Sequence, residues 1–169
     1  MCRLWQAFDR SVGVRPSKGG EAYASFQDLN TAIATLLDEE LQTPFFLYVH
    51  ALATHFPHHL EPPYDPWVDK AYVSPIITDG GFPKQTGGTF TQADKELLRA
   101  LHDGSVLRSD TAVGELMALL QSRGLDRNTL FIICADHGDA LGEDGISVGH
   151  PGILCDEIMH VPLIVKGPG

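Results

Sequence analysis

Asp136-His137-Gly138-Asp139 directly follows an apolar run, Leu130-Phe131-Ile132-Ile133-Cys134-Ala135. A carboxylate and an imidazole at a strand end can point together into a cleft. As a pair they offer a divalent cation one hard oxygen and one nitrogen, and Gly138 lets the backbone turn sharply toward a ligand. An Asp capping the next turn and a His filling a sheet edge would give the same residues. A second group, Thr54-His55-Phe56-Pro57-His58-His59, holds three of the eight histidines. Its spacing is not that of a zinc-binding helix. Imidazoles there can contact an anionic ester and protonate a leaving oxygen, or stand in a solvated loop rich in His and Pro. Of the three, His58 and His59 are more readily solvated than His55. The third group, Gly149-His150-Pro151-Gly152, sets one histidine among glycines, as an ordinary turn also would. The chain has no G-x-S-x-G elbow and no Gly-rich phosphate loop, so no nucleophile is evident within it.

The elements that must position these groups can be read from caps and periodicity. Ser25 with Asp28 starts a helix whose apolar residues Leu29, Ile33, Leu36 and Leu37 share a face, and which should end before Pro44. Phe45-Phe46-Leu47-Tyr48-Val49 reads as a buried parallel strand, because such strands favour continuous apolar runs. Thr91 with Asp94 starts a second capped helix, which Gly124 terminates. Residues 130–135 form a second buried strand, with Cys134 as a small hydrophobe inside it, and Val161-Pro162-Leu163-Ile164-Val165 a third. The alternation predicts an α/β fold, a mostly parallel sheet flanked by helices, with the site beyond the carboxyl ends of the strands. Residues 1–24 give no period and are expected to be irregular; 25–169 form the domain.

Charge narrows the partners. The net charge of −10 disfavours nucleic acid and anionic membranes, so an anionic substrate must be attracted locally, for instance by a metal ion. No apolar stretch approaches the roughly 18 residues needed to span a bilayer. Residues 1–10 lack a signal-peptide core, and the sequence carries no address for a compartment. Three cysteines do not make a disulfide framework.

Three blocks, in order, resemble the sulfatase family of the alkaline-phosphatase superfamily. The first is Pro44 to His50 leading to Thr54-His55-Phe56-Pro57, similar to an apolar strand followed by P-H-x-P. The second runs from Leu101-His102-Asp103-Gly104 through Asp110, Gly114, Leu116 and Leu120 to Gly124-Leu125-Asp126-Arg127-Asn128-Thr129, similar to a long helix and its closing turn. The third is Ala135 to Asp139, Leu141-Gly142-Glu143, Gly149-His150, Asp156-Glu157 and Val161 to Gly169, similar to S-D-H-G-E…G-H-G…Y-E-E…R-V-P-L-I-x-x-G-P-G.

The resemblance implies a metal-dependent sulfuric ester hydrolase with an alkaline-phosphatase-like fold. It implies one divalent cation, calcium in most of the family, with Asp136 and His137 as ligands and His55 and His150 as catalytic residues at the sulfate. The expected substrate is a sulfate ester, small or carried on a sulfated glycan. Relatives often work in the periplasm or outside the cell. The family's nucleophile is a formylglycine made from Cys or Ser in C/S-x-P-x-R. That motif is absent here, as is the early Asp-Asp pair, and Val14-Arg15-Pro16-Ser17-Lys18 has Val where the nucleophile would stand. Thr54 replaces Pro, Asp139 replaces Glu, Cys155 replaces an aromatic and His160 replaces Arg. The expectation is therefore the C-terminal part of a catalytic domain, inactive alone. The alternatives are a phosphodiesterase, phosphonate hydrolase or phosphoglycerol transferase of the same superfamily, or a non-catalytic metal-binding remnant.

Overall fold

The structure is a computed structural model that describes residues 12–17, 23–39, 43–52, 54–78, 80–81, 89–144, 147–150, 152 and 154–168. Most of the segment expected to be irregular, together with Cys2, Pro151 and Gly169, lies outside these residues. The chain divides into two compact units, Met1–Leu52 and Ala53–Gly169.

The first unit contains α1, Phe26–Glu39. Its start is the expected reciprocal cap. The Ser25 amide and hydroxyl each donate to Asp28 Oδ2 at 2.8 Å, and the Asp28 amide donates to Ser25 Oγ at 3.2 Å. Such a cap satisfies helix-terminal N–H groups that have no intrahelical acceptor. Ile33 is the buried residue of the helical face. The expected strand at 45–49 is not found. Residues 45–49 carry no regular secondary structure, and Phe46, Tyr48 and Val49 are exposed. An apolar run becomes a strand only where a neighbouring strand accepts its backbone bonds.

The second unit is organised around α2, Gln92–Ser122. Thr91 caps it in a full capping box with Asp94, and Gly124 ends it at φ +66°, with the Leu125 amide donating to the Leu120 carbonyl at 3.0 Å. Next come one 3-10 turn, Asp126–Asn128, then β1 Phe131–Cys134, β2 Ala140–Leu141, β3 Val148–Gly149, α3 Asp156–Met159 and β4 Leu163–Lys166. The core joins Phe56, Ile77, Phe90 and Leu98, with Leu141 and Val148 of the β2–β3 hairpin packed against it.

Both described ladders are antiparallel. Phe131 pairs with Lys166 and Cys134 with Leu163, while Ala140 pairs with Gly149. The expected parallel, buried sheet is not among them. Ile132, Leu163, Ile164 and Val165 are exposed, and so is Cys134, contrary to its reading as a core residue. Apolar sequence reports a tendency to be covered, whereas direction depends on which neighbour supplies the ladder. Here β1 has β4 alone beside it among the described residues.

One glycine carries a packing prediction. At Gly104, in the middle of α2, an added Cβ would collide with the Tyr64 carbonyl oxygen and with Leu60. Alanine gains about 1 kcal/mol of helix propensity, but overpacking against fixed backbone costs roughly 1–3 kcal/mol. Gly104→Ala is expected to be net destabilising in urea unfolding. An unchanged or higher midpoint would show that the 60–64 loop moves aside freely.

Candidate metal and anion site

The β2–β3 hairpin builds the site. Ala140 opposite Gly149 ends the ladder, and Asp139 and His150 adjoin these two residues, so two residues eleven apart in sequence come to one hairpin mouth. Gly142, at φ +84° and against the Phe90 ring, closes the other end, its amide donating to the Ser147 carbonyl at 2.9 Å. Asp139 stays put because Ala140 beside it is buried and Leu141 packs against the core.

His137 enters from the end of β1. The adjacent Gly138 is held against α3, its amide donating to the Ile158 carbonyl at 2.8 Å, and a side chain there would collide with the Glu157 carbonyl oxygen. The close approach expected of Gly138 is thus to backbone. His55 enters from the 54–58 loop. It is anchored by Phe56 in the core and by the His58 amide, which donates to the Gly80 carbonyl at 2.9 Å.

These elements bring three of the sequence-predicted residues together. His150 Nε2 lies 3.4 Å from His55 Nε2, and the rings of His137 and His150 are 4.1 Å apart between centroids. Carbonyl oxygens only accept, which fixes two tautomers. His137 donates Nδ1–H to the Gly138 carbonyl at 2.8 Å, and His55 donates Nδ1–H to the Phe56 carbonyl at 2.6 Å. In the neutral rings Nε2 is then the nitrogen with a lone pair. Asp136 is largely exposed, with Oδ1 4.0 Å from His137 Nε2. It lies outside the tightest cluster, where a ligand atom from each of His137, Asp139 and His150 lies within 4.8 Å of the others.

Asp139 is the site residue that sequence reasoning missed. Burial pushes its carboxyl up from the usual carboxylate range, against the pull of His137 and His150 when charged. Its Oδ1 is buried and has no hydrogen-bond partner among the described residues. The available signal was the hairpin register, which needs the turn between Leu141 and Val148 to be recognised first. His58 was also misread. It is buried, its Nδ1 is 2.8 Å from Ser105 Oγ, and it packs on Phe56 with 4.3 Å between ring centroids.

The described donors suit calcium poorly. Calcium takes six to eight oxygens, whereas this cluster offers two imidazole nitrogens and one carboxylate. The Asp136 carboxylate stands at its margin.

Comparison with known proteins gives a consistent family. A family model described as Sulfatase matches residues 6–169. An ulvan-active sulfatase from Formosa agariphila is 26% identical over 152 residues, covering 87% of this chain and 27% of that protein. A low-salt glycan biosynthesis sulfotransferase from Haloferax volcanii is 28% identical over 133 residues, covering 77% of this chain and 28% of that protein. An arylsulfatase from Clostridium perfringens is 25% identical over 154 residues, covering 83% of this chain and 31% of that protein. The chain spans less than a third of the length of each of these relatives.

Proposed function

The chain belongs to the sulfatase family, and we propose that residues 25–169 are part of the catalytic domain of a metal-dependent sulfuric ester hydrolase acting on a sulfated small molecule or glycan. The observation that carries the reading is the convergence of His55, His137 and His150 on one hairpin mouth. His55 and His150 contact the sulfate group. Each can hold a proton at Nε2, and the shared position lets one of them deliver it to the leaving oxygen. The 25–169 domain, the parallel sheet and the formylglycine nucleophile remain parts of this proposal. The nucleophile belongs to residues other than these 169, since no C/S-x-P-x-R occurs here. In this reading Asp136 and His137 serve the divalent cation, whose chemistry is to stabilise negative charge on the transferring group.

No helix among the described residues is long and apolar enough to cross a membrane. The negative net charge requires that the anion be recognised locally.

Calorimetric titration of the purified chain with an aryl sulfate, an added divalent cation being present, tests the reading. Binding is expected to weaken at least about tenfold in His55→Ala and in His150→Ala, as for loss of a charge-assisted hydrogen bond. Preference for the matching aryl phosphate would favour the phosphoryl-transfer branch, and binding of neither ester would favour a non-catalytic remnant. Turnover of a chromogenic aryl sulfate with added calcium is expected to be no higher than in Asp136→Ala, because loss of a nucleophile costs orders of magnitude in rate. Robust turnover that disappears in Asp136→Ala would reveal an unrecognised nucleophile or direct attack by water.

A further inference from the structure

We propose that His58 is the positioning residue for His55. Neutral and clamped on Ser105, it holds the 54–58 loop against α2; on taking up a proton it releases that loop, and the anion site with it. The inference rests on the proposed role of His55 at the sulfate, but its first readout needs no ester.

The clamp is a hydrogen bond from loop to helix. His58 Nδ1 lies 2.8 Å from Ser105 Oγ, and Ser105 Oγ donates to the Leu101 carbonyl at 3.1 Å. One hydroxyl proton cannot serve both, and a carbonyl oxygen only accepts. His58 therefore donates Nδ1–H to Ser105, and its Nε2 carries the lone pair. That Nε2 is buried and has no hydrogen-bond partner among the described residues.

The loop held in this way is the one that carries His55. Phe56 is buried in the core, and its ring centroid is 4.3 Å from that of His58. A Cβ at Gly80 would collide with Pro57 and one at Gly81 with the Phe56 ring, so residues 56–58 pack directly on this backbone. His55 gives its Nδ1–H to the Phe56 carbonyl at 2.6 Å. Its ring is thus aimed toward His150 by the same backbone that His58 anchors.

Protonation cannot be accommodated in this arrangement. The new N–H would form at Nε2, where burial leaves it without an acceptor among the described residues, and a buried unpaired charge is strongly disfavoured. The titratable groups facing His58 are His55 and His59 of its own loop and His102 of α2, whose ring stands edge-on with 6.3 Å between centroids. Once charged, each of them repels a second imidazolium. Arg108 donates to the His59 carbonyl, and the exposed Asp103 carboxylate lies 3.9 Å from His102 Nδ1. Burial, reinforced by the three imidazoles, holds the His58 pKa down at about 4. The loop is therefore closed at neutral pH, and acid favours the open form, in which water satisfies the imidazolium. Imidazoles ordinarily bind an anion more tightly as pH falls, because they gain charge. The clamp reverses that trend on the acid side.

The test is a nuclear magnetic resonance titration of the full chain from about pH 7 to about pH 4. In the wild type the backbone amides of Phe56, His58 and Gly81 should shift together in one acid transition, while those of residues 110–120 in α2 stay in place. Ser105→Ala removes the clamp, so the same shifts should already be present at neutral pH. His58→Asn is the conservative rescue: its side-chain amide can donate where Nδ1–H does, and it does not titrate. It should keep the neutral spectrum and lose the transition. Aryl sulfate affinity, measured calorimetrically with an added divalent cation, should fall at least about tenfold on the acid side in the wild type and not in His58→Asn. Unfolding midpoints of both variants exclude loss of fold as the cause. A wild type without the transition, or a transition that persists in His58→Asn, would overturn the proposal. So would a transition that leaves ester affinity unchanged. If the ester binds at no pH, the role of His55 at the sulfate fails, and the amides still decide whether His58 holds the loop.

Discussion

Asp94→Ala is expected to lower the unfolding free energy by about 3–5 kcal/mol, which for a chain of this length is roughly a 10 °C fall in Tm or more. Asp94 is completely buried. Its Oδ1 accepts from the Tyr72 hydroxyl at 2.9 Å and from the Ser74 hydroxyl. Its Oδ2 accepts from the Thr91 amide at 2.8 Å and the Thr91 hydroxyl at 2.7 Å. Burial alone would push the carboxyl up, but these donors outweigh it and hold the pKa down to about 2. Removing the carboxylate abolishes the cap of α2, worth about 1 kcal/mol, and leaves three hydroxyls and an amide short of an acceptor. It also frees the 72–77 segment, whose Ile77 is part of the core. Asp94→Asn, which keeps one accepting oxygen, should lose about half as much. A loss under about 1 kcal/mol in Asp94→Ala would mean that water replaces the carboxylate, as it does for exposed groups.

The second large effect is on the pH dependence of stability. His58 is buried against Phe56 and hydrogen-bonded to Ser105. Desolvation, reinforced by His102, His55 and His59, lowers its pKa from 6.5 to about 4. The unfolded chain therefore takes up the proton at a higher pH than the folded one. Its contribution is fully present above pH 6.5, is lost as pH falls from 6.5 toward 4, and is constant below that. The loss amounts to about 3 kcal/mol. The carboxylates act lower down. Asp94 and Asp28, each lowered from 3.8 to about 2, contribute stability that is lost only as pH falls below 3.8. Urea unfolding between pH 7 and pH 4 should show the His58 step, and His58→Gln should flatten it. A step of equal size in His58→Gln would assign it to other groups.

What could be read from the sequence was local. Ser25 with Asp28, Thr91 with Asp94, and Gly124 lie within one helical turn of the backbone groups they satisfy, so residue type and spacing were enough to find them. The histidines of the site were found by resemblance, and the structure brings His55, His137 and His150 into one cluster. Asp139 stands in the first group of the sequence without a role, because its place depends on the pairing of Ala140 with Gly149. His58 looked like part of a solvated loop. Its burial comes from Ser105, 47 residues later, and from the aromatic ring beside it. Strand direction is not legible for a related reason. The apolar run at 131–134 says that a strand is favourable, but Leu163–Lys166 determines that the ladder is antiparallel.

The central claim is that His55 and His150, beside the cation ligand His137, form one recognition site for a sulfate ester. The most direct measurement is nuclear magnetic resonance of the imidazole C–H groups of the full chain, assigned by single His→Gln variants, during titration with an aryl sulfate. The account predicts that the resonances of His55, His137 and His150 shift together along one saturation curve, while those of the exposed His59 and His160 stay in place. Saturation that moves His59 or His160 and leaves the three clustered histidines unshifted would contradict it.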